Sequence, residues 1–156
     1  MPIVVLAMVL ALAPPAGAAE RPAARWLHGV RVMPGGAIVG NHIVYRGGDV
    51  IVVPSVGDSF DSCVSGFVCL FDSVGWTGSS VQFNSCCAWN NLSAFGFNDR
   101  ASSWRNRMSV DAQIAKDPGG GGAKMCLNNG SFAASMPSGW DNAASSIRVR
   151  NAATYC

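Results

Sequence analysis

One phrase occurs twice in the chain: residues 96–107 read GFNDRASSWRNR, and residues 139–150 read GWDNAASSIRVR. The glycine, the aromatic residue, the two serines and the two arginines of the first copy match those of the second at one constant separation. A repeat at this spacing indicates two similar supersecondary units that pack together. The phrase therefore predicts a domain built from two related halves.

Each copy of the phrase contains two amide or carboxylate side chains, then two other residues, then a pair of serines. Oxygen donors of this kind are the ligands that Ca²⁺ prefers in proteins. Asn, Asp and Ser also build ordinary capped turns, and that alternative stays open. The residues concerned are Asn98, Asp99, Ser102 and Ser103 in the first copy and Asp141, Asn142, Ser145 and Ser146 in the second.

The start of the chain is predicted to be a secretory signal over residues 1–19. Residues 3–13 form an apolar run that is too short to cross a bilayer, and small residues at 16–18 supply a cleavage pattern. Residues 20–41 contain prolines and glycines without a clear hydrophobic period, which predicts a flexible leader. The mature chain is therefore expected to be secreted into an oxidising compartment.

A β-hairpin is predicted after the leader. Residues 42–45 and 49–53 are rich in β-formers and flank an Arg-Gly-Gly turn at 46–48. An isolated hairpin is marginal in water, so it should dock on the domain C-terminal to it or pair with another chain. Residues 54–62 are predicted to be a linker, which makes 42–62 a hairpin-and-linker segment.

The remaining residues, 63–156, are predicted to form one domain of two units, at about 63–108 and 111–150. In the first unit Phe71, Trp76 and Gly78 suggest a hairpin that folds back and is pinned by packing of its aromatic rings. Ala115 and Gly120 stand at the matching positions of the second unit, which predicts a looser hairpin tip over residues 117–122. Short strands in two such units predict an all-β Greek-key sandwich.

The Phe71, Trp76 and Gly78 hairpin, followed by Asn98 and Asp99, resembles a βγ-crystallin Greek-key motif. Cys63 and Cys69, followed directly by Leu70 and Phe71, resemble the small secreted crystallin-like peptidase inhibitors of bacteria. The resemblance covers roughly residues 63–150 and implies a βγ-crystallin-like sandwich of two Greek-key motifs. It also implies inhibition of extracellular metalloproteases by a loop that blocks the active site.

The resemblance further implies a reactive loop and a calcium ligand set. In these inhibitors a second close cysteine pair braces the loop offered to the protease, but only Cys126 lies in that region here, so no reactive bond is assigned. Candidate contact loops are 64–68 and 117–122. The implied calcium ligands are Asn98, Asp99 and Ser102 in one site and Asp141, Asn142 and Ser145 in the other. Asn142 stands where the first copy has Asp99, which predicts that the second site is weaker.

Six cysteines in an exported chain predict three disulfides. Cys63 and Cys69 are near neighbours and are expected to pair. A bond between the adjacent Cys86 and Cys87 would be strained. Each of these two is therefore expected to pair with either Cys126 or Cys156, in one of two ways that the sequence leaves open.

The sequence argues against an enzyme, because neither His28 nor His42 has a partner at metal-ligand or triad spacing and no catalytic motif is present. The net charge of +2 is too small to favour nucleic acid or a membrane surface, and a monomer is expected. Three function classes remain: an exported inhibitor of a secreted protease, a Ca²⁺-stabilised structural module, and a toxin-like antimicrobial protein.

Arginines at matching positions of the two units are expected to be solvated, with a single basic face as the alternative; they are Arg105, Arg107, Arg148 and Arg150.

Overall fold

The computed structural model describes residues 31–55, 61–152 and 156 of the chain. The predicted signal at residues 1–19 lies outside this range, as do residues 20–30 of the predicted leader and 56–60 of the predicted linker. Among the described residues, no helix has the length and apolar character needed to cross a membrane.

The described residues form β-strands joined by turns and single 3₁₀ turns, as the all-β prediction requires. The strands of the N-terminal segment are β1 (Ala37–Val39), β2 (His42–Tyr45) and β3 (Val50–Val53). Those of the first unit are β4 (Val68–Phe71), β5 (Ser80–Phe83), β6 (Asn90–Asn91) and β7 (Ser103–Asn106). Those of the second unit are β8 (Ala112–Ala115), β9 (Lys124–Leu127), β10 (Phe132–Ala133) and β11 (Ser146–Val149).

The strands form two sheets, and the two units exchange one strand each. The first sheet has the order β1-β2-β3-β5-β4-β7-β10, and the second has the order β6-β11-β8-β9. The third strand of the first unit, β6, thus lies in the sheet of the second unit, and β10 lies in the sheet of the first. Each unit is therefore a Greek key whose sheet is completed by the other unit.

The core lies between the two sheets. Alternate residues of each strand point inward, so that Leu70 and Phe83 of the first sheet share one buried cluster with Ile114 and Ile147 of the second. Cys69 and Phe71 of β4 belong instead to a smaller cluster on the outer side of the first sheet. The inner cluster holds the sandwich together, and the outer cluster supports a loop on its own side of the sheet.

The predicted flexible leader is wrong over its last residues, because Ala37–Val39 forms β1 and pairs with β2. Val39 pairs with His42 across a two-residue turn in which Gly40 has a φ of 61°. Glycine adopts this left-handed conformation without steric cost, so a Gly-Asn pair closes a tight hairpin. The adjacent β3 pairs with β5, which docks the N-terminal segment on the edge of the first unit.

The disulfides are Cys63–Cys69, Cys86–Cys87 and Cys126–Cys156. The predicted Cys63–Cys69 pair is therefore present, but the predicted pairing of Cys86 and Cys87 with Cys126 and Cys156 is wrong. Cys86 lies beside Val149 of β11, whereas Cys126 lies on β9, on the far side of β8. Because β8 occupies the other side of Val149, three strand spacings separate Cys86 from β9. Three spacings are about 14 Å, which exceeds the Cα separation that a disulfide spans. Cys86 and Cys87 instead bond to each other across a cis peptide.

Replacing both Cys86 and Cys87 with Ser should leave no free thiol, because the two bonds that remain use all the other cysteines. Mass spectrometry after alkylation of the native protein measures this directly. The Cys126→Ser variant is the matched control and should expose one thiol, that of Cys156. Two alkylated thiols in the Cys86→Ser/Cys87→Ser variant would support the pairing expected from the sequence.

Candidate functional site

A short loop closed by the Cys63–Cys69 disulfide protrudes from the outer face of the first sheet. At its tip Val64 is 46% exposed, and Ser65 and Gly66 are also exposed. Phe67 turns back and is buried. The loop thus presents one apolar side chain to solvent between two anchored ends.

The loop is held in place by hydrogen bonds to Gln82 of β5 and to Arg107, which directly follows β7. Gln82 of β5 is fully buried; its Oε1 accepts the N–H of Val64 at 3.0 Å, and its Nε2 donates to the carbonyl of Ser62 at 2.8 Å. The carbonyl of Arg107 accepts the N–H of Gly66 at 3.0 Å, and its guanidinium donates to the carbonyl of Cys63 at 2.6 Å. Both ends of the tip are therefore fixed before any partner arrives.

The base of the loop rests on the outer cluster, in which Cys63, Phe67, Cys69 and Phe71 are buried together. Trp76 packs against this cluster, as the predicted pinning of the first hairpin by Phe71 and Trp76 requires. The indole also meets Phe132 edge-on, with ring centroids 5.3 Å apart. Phe132 comes from β10, the exchanged strand of the second unit, and no local pattern in the sequence indicated this contact.

The hairpin tip of the second unit, the other candidate contact loop, is anchored rather than loose. The N–H of Gly119 donates to Oδ1 of Asn91 at 2.7 Å, and the N–H of Gly120 donates to Oγ of Ser146 at 3.0 Å. The indole of Trp89 packs so closely on Gly120 that a Cβ there would overlap it. The predicted loose tip is wrong, because the absence of a side chain at Gly120 makes room for this tryptophan. Within the tip, residues 117–119 and Gly122 are exposed.

The second serine of each phrase serves the fold rather than an ion site. Oγ of Ser103 donates to the carbonyl of Ser73 at 2.6 Å, and Oγ of Ser146 donates to the carbonyl of Asp117 at 2.7 Å. Both serines are fully buried. Each one ties the first hairpin of its own unit to the last strand, which explains why this position is a small hydroxyl in both copies.

The first serine of each phrase donates a hydrogen bond to the aspartate of the other phrase. Oγ of Ser145 donates to Oδ1 of Asp99 at 3.0 Å, and Oγ of Ser102 donates to Oδ1 of Asp141 at 2.7 Å. The resemblance implies a different grouping, with Ser102 beside Asp99 and Ser145 beside Asn142, and that ligand set stays a prediction. Because the units exchange strands, the two phrases run past each other, and each serine reaches the opposite copy.

Two oxygen clusters result, which we name after their carboxylates. The Asp99 cluster contains Asp99 and Ser145, with Nδ2 of Asn98 donating to Oδ2 of Asp99 at 2.7 Å. The Asp141 cluster contains Asp141 and Ser102, with Oδ1 of Asn142 at 3.4 Å from the serine hydroxyl. Each cluster holds one carboxylate, which is the second of the two polar residues in the first phrase and the first of the two in the second phrase. Exposed carboxylate and amide oxygens beside a hydroxyl form a donor set that fits a hard cation.

The matching arginines do not form a single basic face. Arg105 lies on β7 in the first sheet, and Arg148 lies on β11 in the second. Arg105 stacks over Trp76 and Phe132, and Arg148 stacks over Trp89, so each guanidinium covers the aromatic side chains of its own sheet.

Among the described residues, one group of side chains is close enough to suggest a metal centre: Asp111, Cys126 and Cys156. Both cysteines of this group are bonded to each other, so they offer no thiolate for a metal. The group is better explained as the disulfide that ties the end of the chain to β9, with Asp111 accepting the N–H of Asn129 at 2.8 Å.

Comparisons with known proteins agree with this architecture. The model of peptidase inhibitor family I36 matches residues 58–127. A solved structure that concerns the evolution of the eye lens βγ-crystallin domain fold is 24% identical, has a TM-score of 0.51, and covers 64% of this chain and 95% of its own. No curated protein matches the chain.

Two further solved structures are similar. A βγ-crystallin domain from Flavobacterium johnsoniae is 27% identical with a TM-score of 0.47, covering 56% of this chain and 98% of its own. A βγ-crystallin from Ciona intestinalis is 25% identical with a TM-score of 0.46, covering 55% of this chain and 100% of its own.

The predicted resemblance and the predicted fold class are confirmed: the chain has a βγ-crystallin fold with disulfides, and part of it matches a family of peptidase inhibitors. A match to inhibitors agrees with the expectation that the chain is not an enzyme. Disulfides in such a chain are typical of an extracellular compartment.

Replacing Gln82 with Ala should loosen the Cys63–Cys69 loop, because the N–H of Val64 and the carbonyl of Ser62 lose their side-chain partner. Each buried group left unpaired costs about 1–3 kcal/mol of stability. Hydrogen exchange at the Val64 amide should accelerate more than in Gln113→Ala, a control that removes the hydrogen bond to Arg148 on the other sheet. Equal exchange at Val64 in both variants would show that Gln82 does not brace the loop.

Proposed function

We propose that the protein is a secreted inhibitor of extracellular metallopeptidases and that the Cys63–Cys69 loop blocks the peptidase active site. The match to a family of peptidase inhibitors supports the general function. The observation that carries the choice of loop is the exposed Val64 at the tip of a rigid, disulfide-closed loop.

Rigidity is what an inhibitory loop needs. A flexible peptide loses conformational entropy when it enters an active-site cleft, whereas a preorganised loop has lost it already on folding. The disulfide, Gln82 and Arg107 fix the backbone on both sides of Val64. The apolar side chain is then free to enter a hydrophobic specificity pocket, while the sandwich behind it excludes the rest of the chain from the cleft.

The disulfide also changes the consequence of hydrolysis. Every peptide bond between Cys63 and Cys69 lies inside the closed ring. Cleavage of such a bond leaves the two new ends attached to the same domain, held by the disulfide and by the hydrogen bonds of Gln82 and Arg107. The cleaved loop therefore dissociates no faster than the domain itself, and religation can occur in the complex.

Replacing Val64 with Asp should weaken inhibition of a thermolysin-like metallopeptidase at least a hundredfold, because a charge replaces the apolar group that enters the pocket. The inhibition constant measures this, and the thermal midpoint should hardly change because Val64 is exposed.

The matched variant is Pro118→Asp, which changes the exposed tip of the second unit in the same way. It should leave inhibition intact. Loss of inhibition in Pro118→Asp with full activity in Val64→Asp would transfer the contact to the second hairpin tip. A wild-type protein that inhibits no member of a metallopeptidase panel would contradict the proposed function itself.

A second role, stabilisation by Ca²⁺, is supported by the two oxygen clusters. We propose that each cluster binds one ion weakly, with Asp99 or Asp141 as the charged ligand. With one carboxylate in each cluster, the affinity should lie at the weak extracellular end, roughly 10⁻⁴ to 10⁻³ M. An ion bound there would bridge the phrases of the two units, so that it would stabilise their association directly.

Adding Ca²⁺ at about a hundredfold excess over the dissociation constant should stabilise the fold by about 2.7 kcal/mol for each occupied site. Because each serine contacts the carboxylate of the opposite phrase, a double-mutant cycle can identify which side chains share a calcium site. The effects of Asp99→Asn and Ser145→Ala on calcium affinity should not add, because both act on one site, whereas Asp99→Asn and Ser102→Ala should add. Calorimetry and thermal melts measure both. Unchanged melts and no heat of binding would identify the clusters as capped turns.

A further inference from the structure

The large apolar side chains that are well exposed among the described residues are not scattered evenly. They are Ile38, Val39, Val64, Val74 and Phe132. Phe132 pairs directly with Arg105 on the outer face of the first sheet, and Val74 lies in the hairpin turn whose Trp76 packs on that face. Val64 lies at the tip of the loop that crosses the same face. Three of the five thus surround β7.

We call the group of Val74, Trp76, Arg105 and Phe132 the β7 face. Arg105 is its centre: the guanidinium lies 5.6 Å from the Trp76 ring and 5.5 Å from the Phe132 ring and is ion-paired with Asp61. Val74 is 61% exposed and Phe132 is 56% exposed. The β7 face therefore combines two exposed apolar side chains with an arginine held between aromatic rings.

The internal repeat shows that this exposure is specific to the first sheet. Trp89 and Phe132 stand at equivalent positions of the repeat. Trp89 directly precedes β6 and lies under the guanidinium of Arg148, and Phe132 begins β10 and lies under that of Arg105. In the second sheet Trp89 packs flat on Gly120 and is half-buried. In the first sheet Trp76 fills the space that corresponds to Gly120. Phe132 therefore meets Trp76 edge-on and projects into solvent. The same scaffold position is covered in one sheet and uncovered in the other.

Chemistry of this kind is typical of the energetic centre of a protein interface. Tryptophan and arginine dominate binding hot spots, and aromatic side chains are enriched at interfaces, because they offer a large contact area with few rotatable bonds. A contact loop by itself is also too small for a stable complex. A stable complex buries about 800 Å² on each partner, which is more than a loop tip of three residues supplies.

We propose that the β7 face is a second contact surface for the inhibited peptidase, adjoining the Cys63–Cys69 loop. This inference rests on the proposed function. Arg107 links the two parts, because it lies on the same side of the chain as Arg105 and donates to the carbonyl of Cys63. The complementary surface on the peptidase is an apolar depression for Phe132 and Val74 with carboxylates near Arg105 and Arg107. Contacts made outside the active-site cleft then select among peptidases with similar clefts.

The test compares Phe132→Ser/Val74→Ser with the control Ile38→Ser/Val39→Ser, which removes apolar side chains of similar exposure from the edge strand β1. The probe is the thermolysin-like metallopeptidase that the wild type inhibits best, used in active form and with its active site blocked by a small inhibitor. The β7-face variant should bind the active peptidase at least tenfold more weakly. It should also lose the residual binding that the wild type retains on the blocked enzyme. The control should behave as the wild type does.

Each outcome is decisive. If the wild type inhibits but both variants match it, the β7 face is not a contact and only this inference is overturned. Equal losses in the two variants would mean that general apolar surface, not this face, drives binding, which also overturns it. A change in oligomeric state of the Phe132→Ser/Val74→Ser variant in sedimentation would reassign the face to contact with a second copy. If the wild type neither binds nor inhibits any peptidase, the proposed function fails and this inference fails with it.

Discussion

The exchange of one short strand between the two units is the constraint on which the rest of the structure depends. Because β6 completes the sheet of the second unit and β10 completes that of the first, neither half has a finished sheet alone. The exchange carries the two phrases past each other, so Ser102 meets Asp141 and Ser145 meets Asp99. It also brings Phe132 to Trp76. The oxygen clusters and the β7 face both follow from the same crossing.

The two halves share a backbone plan but differ in the side chains that cover their outer faces. Gly120 leaves room for the indole of Trp89, which covers the outer face of the second sheet at that point. Trp76 occupies the equivalent space on the first sheet and supports both the Cys63–Cys69 loop and the exposed Phe132. Features that could meet a partner are thus concentrated where the repeat departs from symmetry. This is expected, because the two units are similar and a partner can bind one of them selectively only where their surfaces differ.

Covalent links and the N-terminal strands reinforce the sandwich at its margins. Cys126–Cys156 ties the end of the chain to the edge strand β9, and a bond that closes a loop of this size stabilises a fold by about 2–4 kcal/mol. At the other margin β1, β2 and β3 extend the first sheet from β5. The N-terminal strands thus cover the edge of β5 that the first unit would otherwise leave open.

The sequence by itself determined the repeat, the all-β class, the Cys63–Cys69 pair and the resemblance to crystallin-like inhibitors, because each depends on patterns that can be read along the chain. Turn glycines, alternating strands and the doubled phrase are local signals. The tertiary structure alone decided which serine faces Asp99, that Cys86 bonds to Cys87, and that Phe132 reaches Trp76. These contacts depend on strand order and exchange. Two halves with identical local patterns are compatible with either exchanged or unexchanged strands, and the packing of the whole sandwich selects between them.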